Sequence, residues 1–307
     1  MHRLAARAKP PASPWEDPVP ELPEVEVTRR QIAPLLIGRR ICSLRTTRPS
    51  AFFLTPPGRL RRGLVGRTPE ALSRRGKYLL TQLDDGACLV LHLGMTGQLF
   101  SSAATSARLL SGGRASLTRG AQTHFRPDAH THLQFGFEDG GPEVYFRDVR
   151  KFGKVLLLPK GGSHPRLDRL GPDALEVTGP ALFAATRRRT APIKAVLLDQ
   201  SVIAGVGNIY ADEALFLAGV RPARPAGRVT RRECAGLVEA IGLVMRRSIE
   251  LGGASINDYI APDGTDGRFQ LERRVYARDG ESCACGGRIR RVRVAQRSSH
   301  YCSACQR

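Results

Sequence analysis

The sequence predicts an α+β protein: a leading helix and an all-β half, then a helical half that ends in a short cysteine-rich tail. Three observations carry this. From Lys77 to Leu158, short β-prone runs alternate with Asp-Gly and Gly-Gly turns. After Leu170-Gly171-Pro172 the pattern changes to helices, with a capping box at Thr230 and Glu233. Four of the seven cysteines, Cys283, Cys285, Cys302 and Cys305, crowd the last 25 residues.

Residues 1–19 are rich in Pro and Ala and have no apolar core, so they do not read as a targeting peptide. Val19 precedes Pro20, and a GTG codon means valine inside a frame but methionine at its start. The expectation is therefore that 1–19 is an extension outside the fold and that the working chain begins at Pro20. Pro23 suits the first turn of a helix running to about Leu36, with Gly38 as its stop and Val25, Ile32 and Leu36 on the buried face. Strands are expected at Tyr78 to Leu83, Cys88 to Leu93, His132 to Phe137 and Lys154 to Leu158. Between Ser101 and Asp128 the chain loses periodicity and reads as a long inserted loop. Helices are expected at Lys194 to Gln200 and Ile209 to Ala218, around a glycine-rich turn, and from Thr230 to Gly252-Gly253. The expected divisions are 1–19, 20–170, 171–265 and 266–307.

Lys and Arg outnumber Asp and Glu by 48 to 28 in 307 residues, a formal charge of +20, which calls for a polyanionic partner such as nucleic acid. No stretch is long and apolar enough to span a membrane. The tail spacing, Cys283-Ala284-Cys285, sixteen residues, then Cys302-Ser303-Ala304-Cys305, reads as structural zinc in a reducing compartment and not as a disulfide framework. The first pair is one residue short of a Cys-x-x-Cys knuckle, which tightens the turn.

Several motifs carry chemistry. In Pro20-Glu21-Leu22-Pro23-Glu24, a proline with a free nitrogen would be a secondary amine able to form an iminium with a sugar aldehyde. Glu21 reads as its acid or base, or more blandly as a first-turn carboxylate facing the helix dipole. Lys77 sits at a strand mouth, where a solvated cation is the plain alternative. In Gly205-Val206-Gly207-Asn208 a glycine turn opens a helix, offering backbone N–H groups and the Asn208 amide to one phosphate. Arg187-Arg188-Arg189 adds charge upstream.

These motifs, in this order from Pro20 to Arg307, resemble the formamidopyrimidine-DNA glycosylases. The resemblance implies a β-sandwich, a helix-two-turn-helix domain and a zinc-finger hairpin. It implies excision of oxidised purines from double-stranded DNA by an N-terminal proline Schiff base, followed by β,δ-elimination. It assigns the nucleophile to Pro20, proton handling to Glu21, and assistance of elimination to Lys77 and Arg297. His130, Arg189 and Asn208 become phosphate contacts, and Met95, Arg150 and Phe152 a wedge that fills the space of an everted base. One structural zinc on Cys283, Cys285, Cys302 and Cys305, no membrane partner, a monomer and a bacterial cytoplasmic, nucleoid-associated location complete the expectation. Two rivals stand beside it: an endonuclease VIII-like enzyme for oxidised pyrimidines, and a catalytically silent damage-binding protein if residues 1–19 are retained.

Overall fold

The computed structural model describes residues 20–104, 125–255 and 259–307. The extension and most of the inserted loop lie outside these residues. The first helix, α1 (Leu22–Leu36), is shared between two cores. Val25, Ile32 and Leu36 face one, as their spacing requires, while Leu22 and Val27 enter the other. Gly38 follows with φ 78°, a conformation in which a side chain is strained.

The first core fills a sandwich of two four-stranded antiparallel sheets. One sheet has the order β1-β6-β7-β5, formed by β1 (Ile41–Thr46), β5 (Gly97–Ser101), β6 (Thr131–Phe137) and β7 (Val144–Asp148). The other has the order β2-β3-β4-β8, formed by β2 (Pro69–Arg75), β3 (Tyr78–Leu83), β4 (Cys88–His92) and β8 (Lys154–Leu158). Leu44, Leu133, Phe135 and Phe146 from the first meet Leu72, Leu79, Leu91 and Val155 from the second, as alternation along each strand demands. A short helix, α2 (Pro57–Leu64), adds Leu60 and Leu64. Strands β1, β2, β5 and β7 and helix α2 lay outside the sequence expectation. Their apolar residues are interrupted by arginines and glycines, which blurs the period.

A one-turn helix α3 (Pro165–Asp168) leads into the second core, built from α4 (Gly179–Thr186), α5 (Ile193–Leu198), α6 (Asn208–Leu217) and α7 (Arg231–Glu250). The capping box at Thr230 and Glu233 opens α7 as expected. The chain ends in an antiparallel hairpin, β9 (Ile289–Val294) and β10 (Arg297–Cys302). Because α1 belongs to both cores, Pro20 and Glu21, just ahead of it, are buried at the seam between sandwich and helices. Among the described residues no helix is long and apolar enough to cross a membrane.

Candidate active site

A cavity of about 790 Å³ opens at this seam, and Glu21, Lys77, His92, Asn208 and Arg297 are among its lining residues. Five separate elements therefore converge on it: the start of α1, the turn between β2 and β3, the end of β4, the start of α6 and the start of β10.

Glu21 is held by α6. Its Oε1 accepts the Ile209 N–H at 2.9 Å, and Oε2 faces the Tyr210 N–H at 3.5 Å. The carboxylate precedes one helix and complements the dipole of another. This corrects the expectation that the first-turn amides of α6 are free for a DNA phosphate: two of them are engaged by Glu21. Asn208 remains, and its buried Oδ1 has no hydrogen-bond partner among the described residues. Burial raises the Glu21 carboxyl to about 7, against the opposing pull of Lys77 and the two amides. Glu24 stands behind it, taking the Glu21 N–H at 2.9 Å, the Ala254 N–H at 2.8 Å and the Tyr210 hydroxyl at 2.5 Å.

Lys77 follows Gly76, whose φ of 57° closes the β2–β3 turn. Burial pulls the ammonium below the ordinary lysine value; Glu21 and Glu24 hold it up and Arg297 presses it down. Beside it, His92 was not singled out from sequence. Its Nδ1 accepts the Gly94 N–H at 3.0 Å, and its ring lies 4.7 Å from that of Tyr78 across the β3–β4 pair. Burial, with Lys77, Arg166 and Lys154 nearby, drives its pKa down to about 3. His92 is thus neutral at pH 7, with Nε2 carrying the proton as a donor.

Arg297 opens β10 after a two-residue turn at Ala295 and Gln296, both with positive φ (47° and 61°). Its position is fixed from below. Lys194, with no exposed surface, donates to the Ser298 carbonyl at 2.6 Å and pairs with Asp212 at 2.6 Å. Asp212 Oδ2 also accepts the His300 N–H at 2.8 Å. The adjacent Glu213 takes three backbone N–H groups, from Arg274, Val275 and Tyr276. Neighbouring carboxylates on α6 therefore anchor both the hairpin and the segment leading to it. The available signal was charge inside apolar helical runs, Lys194 in Ile193–Leu198 and Asp212-Glu213 in Asn208–Leu217.

The four tail cysteines converge, with all sulfurs within 4.8 Å of one another; Cys283 and Cys305 are 3.8 Å apart and Cys285 and Cys302 3.5 Å. A tetrahedron of Zn–S bonds of about 2.3 Å has edges of about 3.8 Å, so the donor set fits zinc. The shortened knuckle closes because Gly286 adopts φ 83° and Gly287 has no Cβ, which would lie 3.1 Å from Cys302 Sγ. These cysteines form the site of one structural zinc.

The remaining expected residues lie outside the cavity lining. Met95, in the turn after β4, and Arg150 and Phe152, after β7, belong to two loops joined through Asp148. This carboxylate accepts from Thr96 Oγ1 at 2.5 Å and from the Gly153 N–H at 2.7 Å. Arg150 lies over the Phe152 ring at 4.9 Å, and Phe152 is 48% exposed. His130 is half-buried in the turn before β6, its N–H on Asp128, while His132 is a core histidine bonded to Thr47 and the Asp148 carbonyl. Arg189 reaches Asp199, a cavity-lining carboxylate, at 3.1 Å.

Three family models match the chain: the formamidopyrimidine-DNA glycosylase N-terminal domain over residues 19–155, the H2TH domain of the same enzymes over 170–259, and the zinc finger found in FPG and IleRS over 284–307. Among curated proteins, the formamidopyrimidine-DNA glycosylase of Stenotrophomonas maltophilia strain R551-3 is 41% identical over 292 residues, covering 94% of this chain and 100% of the relative. That of Dinoroseobacter shibae is 42% identical over 298 residues, with the same coverage. Among solved structures, Lactococcus lactis Fpg in complex with an abasic-site-containing DNA superposes with TM-score 0.80 at 33% identity, covering 94% of this chain and 99% of that one. The MutM (Fpg) protein of Thermus thermophilus gives 0.78 at 38% identity, covering 94% and 98%.

Proposed function

The chain belongs to the formamidopyrimidine-DNA glycosylase family, and from that premise we propose that it acts through Pro20 as a bifunctional DNA glycosylase and abasic-site lyase of base excision repair. Its substrates are oxidised purines, 8-oxoguanine and formamidopyrimidines, in duplex DNA. The observation that carries this reading is the meeting of Glu21, Lys77, Asn208 and Arg297 around one cavity, directly beside Pro20.

The everted nucleotide enters the cavity while Met95, Arg150 and Phe152 fill the gap in the stack, which offsets the cost of unstacking. Pro20 nitrogen, as a chain terminus with a pKa of about 8, has a neutral fraction near pH 7 and attacks C1′. The C1′–base bond breaks, the base leaves with a proton, and opening of the sugar gives the iminium. Its charge acidifies the C2′ hydrogen; loss of that proton expels the 3′ phosphate, and a second elimination expels the 5′ phosphate. Glu21, raised to about 7, moves protons at the sugar near neutral pH. Lys77 and Arg297 stabilise the departing phosphates, with neutral His92 and the Asn208 amide as donors, and His130 and Arg189 bind flanking phosphates. Zinc supplies no chemistry to the reaction; it closes the hairpin that presents Arg297.

Pro20 follows Val19 in this sequence, so its nitrogen must be freed for the amine to act. Two findings support a working chain that starts there: the N-terminal family model begins at residue 19, and 94% of this chain accounts for all of the Stenotrophomonas relative. A damaged-DNA substrate and a thiolate zinc site suit a monomer working on bacterial chromosomal DNA in the cytoplasm. Borohydride trapping on a duplex with 8-oxoguanine opposite cytosine tests the reading. A covalent adduct is expected on the chain beginning at Pro20 and none on its Pro20→Gly variant. Binding without an adduct, or an adduct only on thymine-glycol DNA, overturns it.

A further inference from the structure

One wall of the cavity comes from the connection between the two halves. Segment 164–170 contributes His164, Pro165, Arg166, Arg169 and Leu170 to the lining. The connection is firmly held. Leu167 is buried against Val90 and Leu158 on the outer face of the β2-β3-β4-β8 sheet. His164 Nδ1 accepts the Arg166 N–H at 3.2 Å, Arg75 donates to the Leu170 carbonyl at 3.1 Å, and the Gly171 N–H bonds to Gln200 at 3.0 Å. With Leu167 turned inward, Arg166 and Arg169 are exposed. The charge of Arg166 is felt at both His92 and Lys154. The carboxylates lining the same cavity are already engaged: Glu21 with α6, and Asp199 with Arg189 and Ser201.

We propose that Arg166 and Arg169 bind backbone phosphates of the lesion-bearing strand, making the connection a DNA-binding surface in addition to those on the sandwich, the helical half and the hairpin. The inference rests on reading the cavity as the lesion site. Guanidinium groups suit this role because their planar donor fork takes two phosphate oxygens at once and stays charged at every working pH. Rooted on a turn pinned to both halves, they would hold the strand and the seam in one register. Lys77 and Arg297 act at the reacting sugar on the same cavity, so Arg166 and Arg169 serve binding and not bond cleavage.

The test compares the whole protein starting at Pro20 with its Arg166→Ser/Arg169→Ser variant on a duplex carrying a tetrahydrofuran abasic analogue, across a salt series. Each phosphate that is no longer neutralised flattens the slope of log K against log salt by about 0.9, so a change between about 1 and 2 is expected, with single-turnover excision of 8-oxoguanine at saturating protein unchanged. An unchanged slope overturns the proposal, as does a slower single turnover without a change in slope. Failure of the unsubstituted protein to be trapped by borohydride overturns the cavity reading itself, whereas normal trapping with an unchanged slope overturns only the role of the connection.

Discussion

The carboxylate of Glu21 lies 2.9 Å from the amide of Ile209, 188 residues away, so the group next to Pro20 is positioned by α6 and not by its own helix. Space for it exists only because residue 207 is glycine. A Cβ there would stand 2.2 Å from Glu21 Cδ, while the backbone φ of −131° would accept any residue. Gly207→Ala is therefore expected to displace Glu21 with little cost elsewhere. Excision of 8-oxoguanine should fall by about 10²-fold or more, the scale of lost acid–base catalysis, and match Glu21→Gln. Single-turnover kinetics with a thermal melt checks it; an active Gly207→Ala protein contradicts the placement.

Burial of Glu21 also couples pH to stability. Its carboxyl is raised from 4.5 to about 7 on folding, so between those values the folded chain retains a proton that the unfolded chain has released. Stability is then lost as pH rises through this window, by about 3 kcal/mol at most. Glu21→Gln removes the penalty. The variant should melt with the parent at pH 4.5 and above it at pH 8, and parallel melting curves across the range would refute the shift.

The parts legible in sequence were those whose signal is local. The α1 face, the β3 and β8 strands, the capping box of α7 and the cysteine spacing each follow from neighbours within a few residues, and each appears as expected. His92 was hidden because a histidine ending a strand looks ordinary until Gly94 fixes its tautomer and Lys77 faces it. Lys194, Asp212 and Glu213 were hidden because their partners, Ser298, His300 and the 274–276 amides, are about 60 to 100 residues away. The free-amide reading of α6 failed for the same reason, since nothing near Gly207 in sequence announces Glu21.

Lys194 and Asp212 form an ion pair without solvent, both side chains at 0% exposure. Removing one partner leaves the other charge buried. Lys194→Met should cost about 3–5 kcal/mol of stability. It should also loosen Arg297 by removing the bond to the Ser298 carbonyl, slowing strand scission more than DNA binding. Denaturant melts and a comparison of Kd with single-turnover lyase rate test this; a variant as stable as the parent would show the pair to be solvated.

The turn before Arg297 carries strain. Ala295 and Gln296 both occupy left-handed backbone, where an L residue other than Gly, Asn or Asp costs about 1 kcal/mol or more. Gln296→Gly should raise stability by up to about 1 kcal/mol and lower the elimination rate, since the relaxed tip holds Arg297 less firmly. A melt unchanged or lowered by the glycine would mean that the turn is unstrained.

Zinc removal separates the metal's role from the chemistry. A two-stranded hairpin is marginal by itself, and β9–β10 gains its rigidity from the four-cysteine site at one end and from Asp212, which takes the His300 N–H, while Glu213 holds the segment leading to it. The carboxylates remain when the metal leaves, and both apolar cores lie elsewhere, so the helical circular dichroism signal should survive chelation. Arg297 would lose its fixed position, and excision should fall with zinc content from one ion per chain to none, returning when zinc is added back. Because Gly286 and Gly287 let the short Cys283-Ala284-Cys285 knuckle close, Gly287→Val should reproduce the chelated state without chelator, by pressing a side chain between Cys285 and Cys302. Metal analysis alongside excision decides it: a zinc-free protein that still cleaves would remove Arg297 from the mechanism.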